Sequence, residues 1–201
     1  MPDKQNSRGT FSLLAGWILA NLIGWAAGLA IGELFSPLAA RIPIPWQHDR
    51  DLVSVYATII LLGLSIGVAQ WVVMRRYLTR PTRWITTTLI GYLLCVVIFV
   101  TFNSNRIELD RAKVWNNMLL LGLLGSAIGV SQWWVLRQHY SQAGLWVLAS
   151  AAGFLFFMWG IVTPSHSQGE FIIRSTISGV LAAAVSGVTL VWLVRQPLDG
   201  N

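Results

Sequence analysis

Two glutamines raise the first chemical question. Gln70 stands in GVAQWVVMR and Gln132 in GVSQWWVLR, each five residues before an arginine (Arg75, Arg137) that closes an apolar run. At a helical rise of about 1.5 Å per residue, each amide lies about 7–8 Å below the end of its run. An amide at that depth can bond a neighbouring helix, a contact worth well under ~2 kcal/mol. It can also line a polar route or serve as axial ligand to a pigment. Asn21, Thr88 and Ser150 join the two glutamines as candidate polar lining, because each follows a tryptophan (Trp17, Trp84, Trp146) by four residues in a shared frame. In the third copy of the glutamine frame, GVTLVWLVR, Leu190 stands where Gln132 does in the second. A symmetric set of three glutamines is therefore excluded.

Other reactive side chains are few and poorly placed for catalysis. His48, His139 and His166 fall in connecting segments. A membrane haem needs histidines facing one another within the spans, so no cofactor is expected. The HDRD segment with His48, Asp49 and Asp51 reads as a solvated charge cluster, and no metal is expected. Cys95 is the single cysteine, which rules out an intramolecular disulfide and a zinc set. No Asp, Glu, Lys or Arg lies deep in an apolar run; Glu33 and Arg174 sit near run ends. Proton- and ion-coupled pumps depend on intramembrane ionisable groups, so that class is disfavoured. The sequence has no nucleophile elbow, phosphate loop or zinc-protease helix. The expectation is no catalytic residues and no enzyme. Arg75, Arg76, Arg80 and Arg83 crowd one turn and are candidate contacts for anionic lipid, at ~1 kcal/mol each.

The elements that hold these residues are apolar and long. Of 201 residues, 55% are hydrophobic and 11% charged, against about 25% charged in a soluble domain. The net charge of +6 is read as membrane orientation, not nucleic-acid binding. Six runs stand out, at about 11–35, 52–74, 84–102, 114–136, 145–162 and 171–194. About 20 residues, within roughly 17–25, cross a bilayer. The first run exceeds the roughly 7–15 residues of a signal-peptide core and is read as a retained span. Pro37, Pro43 and Pro45 are expected to keep the stretch after it out of helix. One side collects Lys4, Arg8, Arg75, Arg76, Arg80, Arg83, Arg137 and Arg195 against Asp3 and Asp199, while the other side is balanced. Both termini are therefore expected in the cytoplasm.

The spans repeat. Odd spans share Trp-x6-Gly-aromatic: Trp17/Gly24/Trp25, Trp84/Gly91/Tyr92 and Trp146/Gly153/Phe154. Even spans share small pairs, Gly63/Gly67, Gly125/Gly129 and Ala183/Gly187, each followed by a Trp and an Arg. Gly28 and Gly32 extend Gly24 into a stripe. These glycines are expected at close helix contacts. The fold class is thus all-α and polytopic: one transmembrane domain over 1–201, built from three tandem hairpins (about 11–76, 84–137 and 145–195). The copies are parallel repeats, compactly placed around a pseudo-threefold axis along the membrane normal. Trp17, Trp71, Trp84, Trp133, Trp134, Trp146 and Trp192 fall near one end of the spans and are read as an aromatic belt.

The GVAQWVVMR and GVSQWWVLR segments resemble those of a group of uncharacterised multi-pass bacterial membrane proteins of cyanobacterial type. The resemblance implies a bacterial cytoplasmic or thylakoid membrane and no particular activity. The three-hairpin plan is also similar to that of mitochondrial carriers, but their Pro-x-Asp/Glu-x-x-Lys/Arg motif is missing after Phe35, Phe102 and Val162. The functional expectation is a non-enzymatic accessory or assembly subunit, with the bilayer and other membrane subunits as partners and no nucleic acid. The alternative is a small-solute or lipid facilitator whose path runs between the hairpins. The two part on whether glycines and large aromatics face outward, or whether Asn21, Gln70, Thr88, Gln132 and Ser150 meet in one cavity.

Overall fold

A computed structural model describes residues 3–39, 50–104, 114–163 and 167–198. They form six helices: α1 (Asp3–Ala39), α2 (Arg50–Met74), α3 (Thr82–Ser104), α4 (Val114–Leu136), α5 (Leu145–Val162) and α6 (Gln168–Val194). The β structure among the described residues is one bridge, Tyr140 to Pro197. Helix is the expected outcome for apolar runs in lipid, where each span must satisfy its own backbone groups. Five helices contain stretches long and apolar enough to cross a bilayer: Gly9–Phe35, Val53–Met74, Thr82–Thr101, Met118–Leu136 and Ile172–Val194. This is the make-up of a polytopic membrane protein. The apolar part of α5, Leu145–Gly160, is shorter.

Helix α1 departs from the sequence reading at both ends. It begins in the polar leader and passes through Pro37 to end at Ala39. A proline inside a helix forfeits one backbone bond, here to the Glu33 carbonyl. Pro43 and Pro45 lie outside the described residues.

Each helix packs on the one before and after it in sequence, and α6 packs back on α1, closing a ring. Glycines set the close approaches. A Cβ built on Gly24 would stand 2.7 Å from Ile66 Cα, and one on Gly28 2.8 Å from Leu62 Cα. Gly32 abuts Thr58, so the whole α1 stripe faces α2. Gly63 and Gly67 meet Tyr92 and Thr88 on α3, while Gly125 and Gly129 meet Phe154 and Ser150 on α5. Gly187 meets Leu14 and Trp17 on α1. Large apolar side chains point outward, among them Ile23, Val72, Val97, Leu119, Leu148 and Val188. An apolar exterior of this kind is the surface lipid covers.

The main core sits at one end of the ring. Leu13, Trp17, Met74, Leu78, Trp84, Leu136, Tyr140, Trp146, Leu190 and Leu193 are buried together there. A smaller cluster of Cys95, Leu120, Leu124 and Ile128 fills the α3–α4 contact. The aromatic belt is only partly what the sequence suggests. Trp134 is exposed, and Trp71, Trp133 and Trp192 are half-buried. Trp17, Trp84 and Trp146 lie instead in the protein interior, at 0–1% exposure. They share an end of the helices with the others but occupy the face turned inward.

Candidate functional site

The three interior tryptophans touch one another. Trp17 and Trp146 meet with ring centroids 5.5 Å apart, Trp84 and Trp146 at 5.9 Å, and Trp17 and Trp84 at 6.0 Å. All three pairs are edge-to-face, with interplanar angles of 70–78°. Such pairs contribute about 0.5–1.5 kcal/mol each beyond burial. Among the described residues the odd helices make no close backbone contact with one another, so these indoles bridge the middle of the ring.

A buried indole needs an acceptor for its N–H, and each finds one on an even helix. Trp84 Nε1 donates to Gln70 Oε1 at 3.0 Å, and Trp146 Nε1 to Gln132 Oε1 at 2.9 Å. Trp17 Nε1 donates to Ser186 Oγ at 3.0 Å. In α6, where Leu190 replaces the glutamine, the acceptor is thus a serine one turn earlier. Ser186 is an acceptor that the sequence reading missed. Its signal was a hydroxyl on the face of α6 shared with Leu190 and Gly187.

The glutamines also bind each other and their neighbours. Gln132 Nε2 donates to Thr88 Oγ1 at 2.9 Å and to Gln70 Oε1 at 3.3 Å. Gln70 Nε2 donates to Asn21 Oδ1 at 2.9 Å, and Asn21 Nδ2 donates to the Trp17 carbonyl at 2.8 Å. Gln70, Thr88 and Gln132 are buried and Asn21 half-buried. The structure therefore brings four of the five candidate lining residues into one hydrogen-bonded network. Ser150 is placed elsewhere: its Cβ packs against Gly129, and among the described residues no hydrogen bond joins it to the glutamines. The network consists of amides, hydroxyls and indoles, none of which titrates near neutral pH. What it does chemically is satisfy buried polar groups, each of which would cost about 1–3 kcal/mol unpaired.

Below the indoles the turns are tied together. Tyr140 Oη donates to the Tyr77 carbonyl at 3.2 Å. His139 Nε2 accepts from the Thr79 N–H at 3.3 Å and lies 3.0 Å from Thr79 Oγ1, while its Nδ1 is 3.1 Å from the Val135 carbonyl. An Nδ1–H tautomer serves all three contacts. The tail after α6 pairs with the same turn, Leu198 N–H donating to the His139 carbonyl at 3.1 Å. His139 is thus a clasp between turns. Burial, and secondarily Tyr77 beside it, push the Tyr140 hydroxyl up to about 12.

The arginines ring this end. Arg75, Arg76, Arg80, Arg83, Arg137 and Arg195 are all exposed. Arg75 lies over Trp71 at 5.7 Å, and Arg137 over Trp133 at 5.0 Å and Trp134 at 3.6 Å. Among the described residues Trp71 Nε1 is a buried donor without a partner, and no three His, Cys, Asp or Glu side chains gather. His48, Asp49 and His166, and the side chain of Asp51, lie outside the described residues. At the opposite end Arg174 pairs with Glu170 and donates to the Gly160 and Thr163 carbonyls, beside an apolar recess of about 410 Å³ against Trp159, Ile173 and Ile177.

Compared with protein families, curated proteins and solved structures, the chain matches none.

Proposed function

We propose that this is a non-enzymatic integral membrane protein that works through its outer surface, as an accessory or assembly subunit of a larger membrane assembly. The observation that carries the reading is the self-sufficiency of the interior. Gln70 and Gln132 spend their amides on each other, on Asn21 and Thr88, and on two indoles, and three tryptophans fill the middle of the ring at that depth. The glycine stripes are likewise used between its own helices, so they no longer argue for a partner. The outward aromatics Phe11, Trp134, Phe156 and Trp159 still do.

The arrangement we infer is three hairpins, α1–α2, α3–α4 and α5–α6, related by a pseudo-threefold axis through the tryptophan triangle. The repeated Trp and Gly positions support it: Trp17, Trp84 and Trp146 make the same contacts with one another, and Gly24, Gly91 and Gly153 each face the following helix. On this plan α5 also crosses the bilayer, which makes six spans; its 18 residues reach about 27 Å, near the ~30 Å of a hydrocarbon core. The arginine-rich end then faces the cytoplasm of a bacterial cell by charge bias.

Native mass spectrometry of the tagged full chain, extracted gently from its own membrane, tests the reading. Stoichiometric membrane subunits are expected; a lone protein in every mild extract would sink it. A facilitator is the second reading, favoured by the convergence of Asn21, Gln70, Thr88 and Gln132 on the ring interior. It requires the tryptophan triangle to open. On that reading Trp84→Ala raises solute flux in proteoliposomes.

A further inference from the structure

We propose that the arginine-bearing end of the bundle is a binding surface for anionic phospholipid, seated on the joined 75–83 and 137–144 turns. Charge complementarity is the first argument. Six guanidinium groups are exposed there, and among the described residues the salt bridge present is Arg174–Glu170, on the first turns of α6 at the other end. The basic end therefore carries its charge unneutralised by any described carboxylate.

Pre-organisation is the second argument. The two turns form one surface, because Arg83 Nη1 donates to Gln138 Oε1 at 3.4 Å, Thr79 bonds His139, and Tyr140 bonds Tyr77. On it, Arg137 is stacked 3.6 Å from the Trp134 ring centroid and Arg75 lies over Trp71. A stacked guanidinium keeps its N–H edges free and planar, the geometry that takes a phosphate in two parallel hydrogen bonds.

Position chooses lipid over free phosphate or an acidic protein. Trp134 is 54% exposed in the last turn of α4, and Val72 and Leu145 are exposed at the neighbouring helix ends. A headgroup bound at Arg137 thus has its acyl chains beside apolar side chains that inorganic phosphate would leave bare. Lipid binding at this end needs only a bundle set in a membrane, whether or not the chain is an accessory subunit.

The test uses the purified full chain in neutral detergent, offered equal amounts of phosphatidylglycerol and phosphatidylcholine and read by native mass spectrometry. Phosphatidylglycerol is expected to be retained at least about ten-fold better, with each Arg→Gln change at Arg75, Arg80, Arg83 or Arg137 costing about five-fold. Arg137→Lys keeps the charge but loses the planar stack, and is expected to fall between wild type and Arg137→Gln. Equal retention of the two lipids by the wild-type chain overturns the proposal, and this arm needs no variant to fold. Full retention by an Arg75/Arg80/Arg83/Arg137→Gln variant with an unchanged melting temperature also overturns it. So does a co-purifying acidic protein that leaves with the arginines while the lipid stays.

Discussion

Gln132 Nε2 donates to Gln70 Oε1 at 3.3 Å, so the residues that occupy the same place in GVSQW and GVAQW are bonded to each other. Gln70 Oε1 takes that bond and the Trp84 N–H together. One amide oxygen thereby ties α2, α3 and α4. Two of the three even helices offer a glutamine oxygen to an indole N–H; α6 answers Trp17 with Ser186 instead.

Loss of either glutamine should therefore cost more than one contact. Gln132→Leu strands the Trp146 N–H and removes the donor to Thr88. At about 1–3 kcal/mol per stranded buried group, a loss of roughly 2–4 kcal/mol is expected. Gln132→Leu combined with Trp146→Phe should cost less than the two separate losses added, because the second change removes the stranded donor. Unfolding in detergent, run as a double-mutant cycle, measures it. Unchanged stability in Gln132→Leu would rule out a structural role for the network.

The mirror change should fail. Leu190→Gln gives α6 the Gly-Val-x-Gln order found in α2 and α4, yet Leu190 is fully buried in the core with Leu193 and Trp17. Trp17 already has Ser186 as acceptor, so the new amide enters an apolar site without a waiting partner. A lower melting temperature is expected, by the cost of about 1–3 kcal/mol for an unpaired polar group. A gain in stability would mean that sequence symmetry outweighs the packing at this position.

Glycines separate into two groups that a single substitution distinguishes. Ala at Gly91 or Gly125 puts a methyl group 2.7 Å from Ile128 Cα or 2.6 Å from Phe154 Cβ, so the helices must part. Gly122, on the same helix as Gly125, has open space where its Cβ would go. Gly122→Ala should be neutral or stabilising by up to ~1 kcal/mol through helix propensity, while Gly125→Ala destabilises by about 1–3 kcal/mol. Equal effects of the two in thermal unfolding would contradict the contact.

The legible part of this fold was its periodicity. Long apolar runs bounded by arginine and proline marked the helices: α4 ends, and α5 begins and ends, where the runs do. Fixed offsets to tryptophan and arginine grouped Asn21, Gln70, Thr88, Gln132 and Ser150; hydrogen bonds join the first four, while Ser150 packs against Gly129. Which way Trp17, Trp84 and Trp146 face was not legible. A tryptophan near a span end suits either a headgroup layer or an interior seat, and only the rotation of each helix about its axis decides. Ser186 was hidden for a related reason, since its role depends on Leu190 vacating the acceptor position. The clasp of His139 with Thr79 and Leu198 joins segments far apart in the chain, and no periodic signal encodes it.

Trp71 tests the same distinction from the other side. Its Nε1 is buried without a partner, whereas those of Trp84 and Trp146 are bonded. Trp71→Phe removes an unsatisfied donor along with some packing, and is expected within about 1 kcal/mol of wild type or above it. Trp84→Phe frees Gln70 Oε1 of one donor and breaks two edge-to-face contacts. It is expected to lose about 2–3 kcal/mol. The order of melting temperatures decides: Trp71→Phe below Trp84→Phe would show that the triangle is dispensable.

Tyr140 gives the turn region a pH signature. Its hydroxyl is held at about 12, above the ordinary 10.0, by burial first and by Tyr77 second. The folded value exceeds the unfolded one, so the unfolded chain loses this proton first as pH rises. The corresponding stability is fully present below pH 10 and is lost as pH climbs from about 10 towards about 12. The ionised oxygen would also lose its donated bond to the Tyr77 carbonyl. Tyr140→Phe should thus be less stable at pH 8, by about 0.5–1.5 kcal/mol for the missing hydrogen bond, but decline less steeply between pH 10 and 12. Melting temperatures of both proteins across that range make the comparison. Parallel alkaline limbs would show that the Tyr140 hydroxyl does not report on the joined turns.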